Sequence, residues 1–327
     1  MTERILVTGG AGFVGAHLCR RLLDDGAEVV CLDNFLTGLR SNISPLLDRS
    51  GFQLLEHDLR GPVPWDGPLS AVMHLASPAS PSAYLANPIQ TLEVGSIGTL
   101  NVLELAAQRD ADLLLASTSE VYGDPEVSPQ PESYRGNVSP TGPRSVYDEA
   151  KRFSEAATMA FRRTKGVRTH IARIFNCYGP GMSPGDGRAI PDFIDRALDG
   201  RPVIVFGDGS QTRSFCYVDD LVDGLVALTR SDDPGPINLG NPDERSLLEI
   251  AELVVSLAGS DSRIEFGPLP EDDPRTRRPD ITKARAVLGW EPRVELRDGL
   301  ARTIAWFREM RGEPAGSAEP QVSPASG

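Results

Sequence analysis

The chain has 327 residues, enough for one large or two ordinary domains around a sizeable core. Lys and Arg number 33 against 46 Asp and Glu, and a net charge of −13 argues against a nucleic-acid or anionic-membrane binder. No apolar run approaches the ~18 residues of a membrane span, and the opening MTERILVTGG reads as a strand, not a signal peptide. Cys19, Cys31, Cys177 and Cys216 are widely spaced with no CxxC pair, which predicts free thiols in a reducing, cytoplasmic compartment.

Taken in chain order, short apolar runs alternate with helical patterns. Arg4–Thr8 reads as a buried strand, Phe13–Leu23 as a helix and Val29–Leu32 as a second strand. Val72–Leu75 follows, then a helix over about Thr91–Gln108, a strand at Leu113–Ala116, a helix over about Ser145–Thr164 and a strand at Thr169–Ile174. Strands this apolar are covered on both faces, so the pattern predicts an α/β, doubly wound parallel sheet over 1–178. After Gly179 the alternation breaks down. A smaller, discontinuous substrate domain is expected over 179–215 and 241–312. Residues 216–240 return to the main sheet as the helix Leu221–Thr229 and the strand Pro236–Leu239. The Gly/Pro/Ser-rich end, 313–327, is expected to be disordered.

Gly9, Gly12 and Gly15 lie three apart between the first strand and the first helix, with Phe13 and Val14 opening that helix. Such glycines allow a tight turn and close approach of a pyrophosphate, which the helix N-terminus then holds. Asp33 ends the second strand 18 residues after Gly15, near the ~20 expected of a ribose acceptor. A carboxylate there repels a 2′-phosphate and favours NAD over NADP. Asn34, Asp58-Leu59 and Leu75-Ala76 leave the same sheet edge as further cofactor contacts, whereas His74 reads as a packed core histidine. No cluster has the spacing of a metal site.

Tyr147 and Lys151 stand at i and i+4 of one helix and so share a face. A phenol near pKa ~10 is a poor base at neutral pH; a neighbouring ammonium and an oxidised nicotinamide stabilise its phenolate. The hydroxyls and carboxylate of Thr118-Ser119-Glu120 leave an apolar strand at the carboxyl edge, where doubly wound folds bind ligands.

The ordered set resembles the extended short-chain dehydrogenase/reductase family, whose fold is a Rossmann sheet. Thr118, Tyr147 and Lys151 match its catalytic triad. Matching stretches run through His74–Pro81, Ser117–Val127, Arg173–Asn176, Gly207–Asp220 (with Gln211–Phe215) and Arg277–Asp280, covering about Arg4 to Arg308. The resemblance is greatest to the branch that decarboxylates UDP-glucuronate. Related dehydratases carry Asp-Glu after the threonine, the Asp expelling water. Here the pair is Ser119-Glu120, and a serine hydroxyl is a poor general acid.

The resemblance implies oxidation at C4 by bound NAD, loss of the C5 carboxylate from the resulting β-keto acid, and reduction back at C4 to a UDP-pentose. Tyr147 is then the base, Thr118 and Lys151 assist it, Ser119 and Glu120 position the sugar, and Arg277 aids decarboxylation or reprotonation. Asn176, Arg213 and Arg277 match positions that hold the nucleotide diphosphate, Glu120, Arg188 and Tyr217 are further candidate substrate contacts, and Arg275 and Arg278 read as surface ion pairs. A homodimer through the two long helices, a UDP-sugar partner, and neither nucleic acid nor membrane are implied as well. The rival readings are a UDP-hexuronate 4-epimerase and a non-catalytic NAD-binding regulator. Two departures stand out: Gly95, where the family usually has Asn, and Gly181, where it often has Arg. The first is expected to loosen the active-site helix or admit water.

Overall fold

Apolar and β-branched residues make the strands, and their burial on both faces makes the sheet parallel and central. The structure, a computed structural model, describes residues 2–268 and 276–312. The strands β1 (Arg4–Thr8), β2 (Glu28–Asp33), β3 (Phe52–Glu56), β4 (Ala71–His74), β5 (Asp112–Thr118) and β6 (Thr169–Ile174) follow one another in sequence. With Ile237–Leu239 they form a seven-stranded parallel sheet, ordered Ile237–Leu239, β6, β5, β4, β1, β2, β3. The order reverses between β1 and β4, which opens a ligand crevice at the carboxyl ends of those strands. Leu6, Val7, Val72, Leu113, Leu114 and Leu115 are fully buried in the sheet.

Residues beyond Ile174 build three two-stranded sheets: Cys177–Tyr178 with Cys216–Tyr217, Thr212–Ser214 with Glu244–Ser246, and Val203–Phe206 with Ile264–Gly267. The helices Ala189–Leu198, Leu247–Leu257 and Leu296–Met310 pack among them. Ser246 caps the second of these, accepting the Glu249 N–H while Glu249 accepts the Ser246 N–H in return. Residues 313–327 and Arg275 lie outside the described residues. Arg278 is held by a backbone contact, its Nε donating to the Pro242 carbonyl at 3.0 Å, instead of the surface ion pair expected.

The helix expected over 91–108 starts earlier and is not uniform. Pro88–Glu93 is α-helical, Val94–Gly98 is a π-turn, and Thr99–Arg109 resumes the α-helix. The turn lies at a close approach between helices. A Cβ at Gly95 would stand 2.6 Å from Cβ of Ala150, on the helix Ser145–Lys165. Ser154 crosses the seam, donating to the Gly95 carbonyl at 2.8 Å. Gly95 therefore tightens the packing of the Tyr147–Lys151 helix; the expected loosening is absent. Gly181 has φ +90°, a left-handed conformation that a branched side chain resists.

Candidate active site

The crevice is a cleft of about 850 Å³ along the carboxyl edge of the sheet. Gly9, Gly12, Phe13, Val14, Gly15, Asp33, Asn34, Asp58, Leu59, Leu75, Ala76, Tyr147 and Lys151, the residues predicted to hold the dinucleotide, all line it. The loop fits a pyrophosphate. Gly9 has φ +70°, and a Cβ on Gly15 would stand 2.1 Å from the Gly9 carbonyl, so backbone alone fills the turn. No side chain caps the helix Phe13–Asp24, which leaves its first N–H groups facing the cleft. Asp33 accepts the Ala11 N–H at 2.9 Å and the Phe35 N–H at 2.8 Å, with lone pairs left for a diol. Burial pushes its carboxyl up, and those backbone donors oppose the shift. Arg60 beside Asp58 holds that carboxyl down at about 2. His74 is indeed a core histidine: Nδ1 is 2.8 Å from the Thr8 hydroxyl and Nε2 is 3.2 Å from Thr99. Burial, aided by the charge on Lys151, lowers it to about 3 and keeps it neutral.

Across the cleft stand Thr118, Ser119, Glu120, Tyr147 and Lys151, which the end of β5 and the helix Ser145–Lys165 bring together. Burial pushes the Tyr147 phenol up, while a hydrogen bond from Thr118 works in the opposite direction. Nζ of Lys151 lies 5.8 Å from the Tyr147 ring centre and donates to the Ala116 carbonyl at 2.9 Å. Burial lowers Lys151 to about 8, so at neutral pH it is still mostly an ammonium. Tyr84 stacks on Tyr147 at 5.1 Å and 10° and fixes the phenol ring.

Glu120 is the electrostatic centre. Arg277 forks both its oxygens, with Nη2 at 2.9 Å from Oε2, and Nη2 of Arg144 reaches that same oxygen at 2.9 Å. Burial alone would raise the carboxyl, but the two guanidiniums outweigh it and hold it at about 2. Glu120 is thus an anion throughout the neutral range and has no proton to give. Two cations surround one anion. Asp148, pushed up to about 7 by burial and then by Glu120, offsets the surplus only in part.

Asn176, Arg188, Arg213 and Arg277 line the far end of the cleft. Nδ2 of Asn176 is buried without a partner, as a donor awaiting a ligand oxygen would be. Arg188 is held by Asp186, its Nε donating at 2.7 Å, and Arg213 donates to the Thr212 carbonyl at 2.8 Å. Tyr217 is a correction. It does not line the cleft; it is buried against Tyr178, 5.6 Å between ring centres, with Arg302 over its ring. The chain switches sheets at Phe215, from pairing with Glu244–Ser246 to pairing with Cys177–Tyr178, and the alternation that faces Arg213 to the cleft is reset there. Sequence reasoning missed Arg144 and Tyr84. The Tyr84 hydroxyl is buried with no partner, and burial raises it to about 12. Arg144 immediately precedes the helix Ser145–Lys165, three residues before Tyr147, and that short spacing was its only local signal.

Among relatives, the chain is 52% identical over 309 residues to UDP-glucuronic acid decarboxylase 1 of Danio rerio, covering 94% of this chain and 73% of that protein. It is 50% identical over 310 residues to UDP-glucuronic acid decarboxylase 5 of Arabidopsis thaliana, covering 94% of this chain and 90% of the other. Among solved structures, UDP-glucuronic acid 4-epimerase from Bacillus cereus, in complex with UDP-glucuronic acid and NAD, superposes with a TM-score of 0.82 at 28% identity, covering 94% of this chain and all of the other. Residues 5–240 match the NAD dependent epimerase/dehydratase family. With that match over most of its length, and with the glycine loop, Asp33 and the Thr–Tyr–Lys set in place, the chain belongs to this family of extended short-chain dehydrogenases/reductases.

Proposed function

We propose that the chain converts UDP-glucuronate to UDP-xylose by NAD-dependent decarboxylation. The observation that carries this reading is the excess of guanidinium around Glu120, one helical turn from Tyr147, which suits a substrate bearing its own carboxylate beside the reacting carbon. The names of the curated relatives support it. NAD, which Gly9, Gly12, Gly15 and Asp33 would hold, would supply reversible hydride acceptance at C4 and a positive charge that favours the phenolate.

The protein's part is binding and proton control. Tyr147, as phenolate, takes the C4 hydroxyl proton; Thr118 hydrogen-bonds the same oxygen, and the Lys151 ammonium holds the phenolate and the cofactor ribose. The C4 ketone makes the sugar a β-keto acid, so the C5–C6 bond breaks with its electron pair delocalised into an enolate. Arg144 and the Tyr84 hydroxyl hold the departing carboxylate, and Ser119 steadies the adjacent hydroxyls. Arg277, kept in place by Glu120, stabilises the enolate until C5 takes a proton from solvent water. Asn176, Arg188 and Arg213 take the nucleotide diphosphate. Residues 1–178 with 216–240 serve as the cofactor domain, and 179–215 with 241–312 as the substrate domain.

Incubation with UDP-glucuronate is expected to release carbon dioxide and a UDP-pentose, with no net change in NADH, as followed by mass spectrometry and absorbance. A UDP-hexuronate isomer with all its carbons kept would make the chain an epimerase, and no product at all a cofactor-binding regulator.

A homodimer belongs to the same proposal. The helices Pro88–Glu93, Thr99–Arg109 and Ser145–Lys165 and the π-turn Val94–Gly98 pack together and leave Ile89, Leu92, Ile97, Leu100 and Phe153 more than a third exposed. Two copies placing these faces together would bury that surface in a four-helix arrangement. Light scattering is expected to give twice 35.2 kDa, and Ile97→Glu to halve it; a monomeric wild type would refute the dimer. Among the described residues no helix is long and apolar enough to cross a membrane. The four free cysteines support a reducing, cytoplasmic setting.

A further inference from the structure

Arg277 stands 157 residues from Glu120 in the chain, so the ion pair between them depends on whatever holds its segment in place. A buried chain of hydrogen bonds does this. Gln130, fully buried, donates its N–H to the Arg278 carbonyl at 2.8 Å, accepts the Arg278 N–H on Oε1 at 2.9 Å and accepts the Asp280 N–H on its carbonyl at 3.0 Å. Asn238, also fully buried, donates from Nδ2 to the carbonyls of Gln130 at 2.9 Å and Asp280 at 3.0 Å. Its Oδ1 accepts the Tyr122 hydroxyl at 2.8 Å, and that hydroxyl accepts from Arg173 at 3.0 Å. Arg173 pairs with Glu155 at 2.8 Å, and Glu155 accepts from Ser117 at 2.6 Å. Ser117 precedes Thr118, and Glu155 follows Lys151 by one helical turn. The two ends of the site are thus joined through a continuous hydrogen-bonded chain, buried at Gln130, Asn238 and Tyr122 and mostly buried at Arg173 and Glu155, and paired polar groups out of water make such a network rigid.

We propose that Gln130 and Asn238 are positioning residues that set Arg277 in register with Thr118, Tyr147 and Lys151. This rests on the role given to Arg277 above. Because Arg277 acts after the C4 hydroxyl has been oxidised, losing its register slows carbon dioxide release and spares the first oxidation. A merely structural role would slow both together.

The test is a single turnover of the NAD-loaded enzyme with UDP-glucuronate, following reduced-nicotinamide absorbance and carbon dioxide together. Arg277→Gln is expected to accumulate reduced nicotinamide; if it does not, the role of Arg277 fails and takes the inference with it. Gln130→Met is expected to release carbon dioxide about tenfold more slowly, with the initial reduction rate and KM within twofold of wild type. Gln130→Glu is expected to recover most of the loss, because burial keeps its carboxyl protonated and able to replace both side-chain bonds of the amide, the one accepted from the Arg278 N–H and the one its Nε2 donates to the Val127 carbonyl at 2.7 Å. Should Gln130→Met fail to fold, Tyr122→Phe, which deletes one hydroxyl from the chain at nearly constant volume, carries the same expectation. Equal slowing of both steps, or of neither, with Arg277→Gln behaving as expected, overturns the inference.

Discussion

Tyr147→Phe is expected to lower kcat about a thousandfold, within the 10²–10⁴ that a positioned base contributes, while the protein keeps its cofactor and its fold. The substitution removes one oxygen from a ring that Tyr84 holds by stacking, so the ring itself stays in place. The whole cost falls on the C4 proton. Burial raises the phenol and only one hydrogen bond, from Thr118, pulls it down, so the proton can leave only when positive charge stands nearby. Lys151 supplies part of that charge, 5.8 Å from the ring centre. Steady-state turnover of UDP-glucuronate, with bound NAD counted after denaturation, checks the point. Turnover within tenfold of wild type would show that another group takes the proton.

Glu120→Gln is expected to cost about 3 kcal/mol of folding stability at pH 7, and to slow carbon dioxide release about a hundredfold by freeing Arg277 and Arg144. The sign follows from the carboxyl, which lies at about 2 in the folded protein against an ordinary 4.5. A group held down in this way contributes its full stability above the unfolded value and loses it as pH falls through the folded one. Some 2.5 pH units at ~1.4 kcal/mol each give the figure of about 3. The gap between wild type and variant should therefore be widest at neutral pH and close as pH falls from 4.5 toward 2. Urea unfolding across that range measures it. A gap that stays constant would mean that Glu120 is not held by its arginines.

The sheet was legible in the sequence because its signals are local. Runs such as Ile5-Leu6-Val7 and Leu113-Leu114-Leu115 declare a strand covered on both faces, and the glycine loop declares the turn between β1 and its helix. Thr118, Tyr147 and Lys151 were legible as well, since each lies in a short pattern at the end of a strand or along one helix face. What stayed hidden depends on distant segments. The π-turn at Val94–Gly98 packs its Gly95 against Ala150, a contact that periodicity within one helix does not record. Tyr217 was misplaced because a sheet change at Phe215 breaks the alternation. Arg144 and Tyr84 belong to no motif, and only the folded chain shows a second cation on Glu120 and an unsatisfied hydroxyl beside it. Arg277 was found through resemblance, because no spacing rule links residues so far apart.

The seam between Gly95 and Ala150 ties the histories of the two positions together. A lineage placing an asparagine at 95 would first have to surrender the methyl group at 150, since the two side chains claim one volume. Exchanged together, they trade bulk from one helix to its neighbour; a side chain added at 95 alone pries apart the wall on which Lys151 stands, and a methyl lost at 150 alone leaves a gap in it.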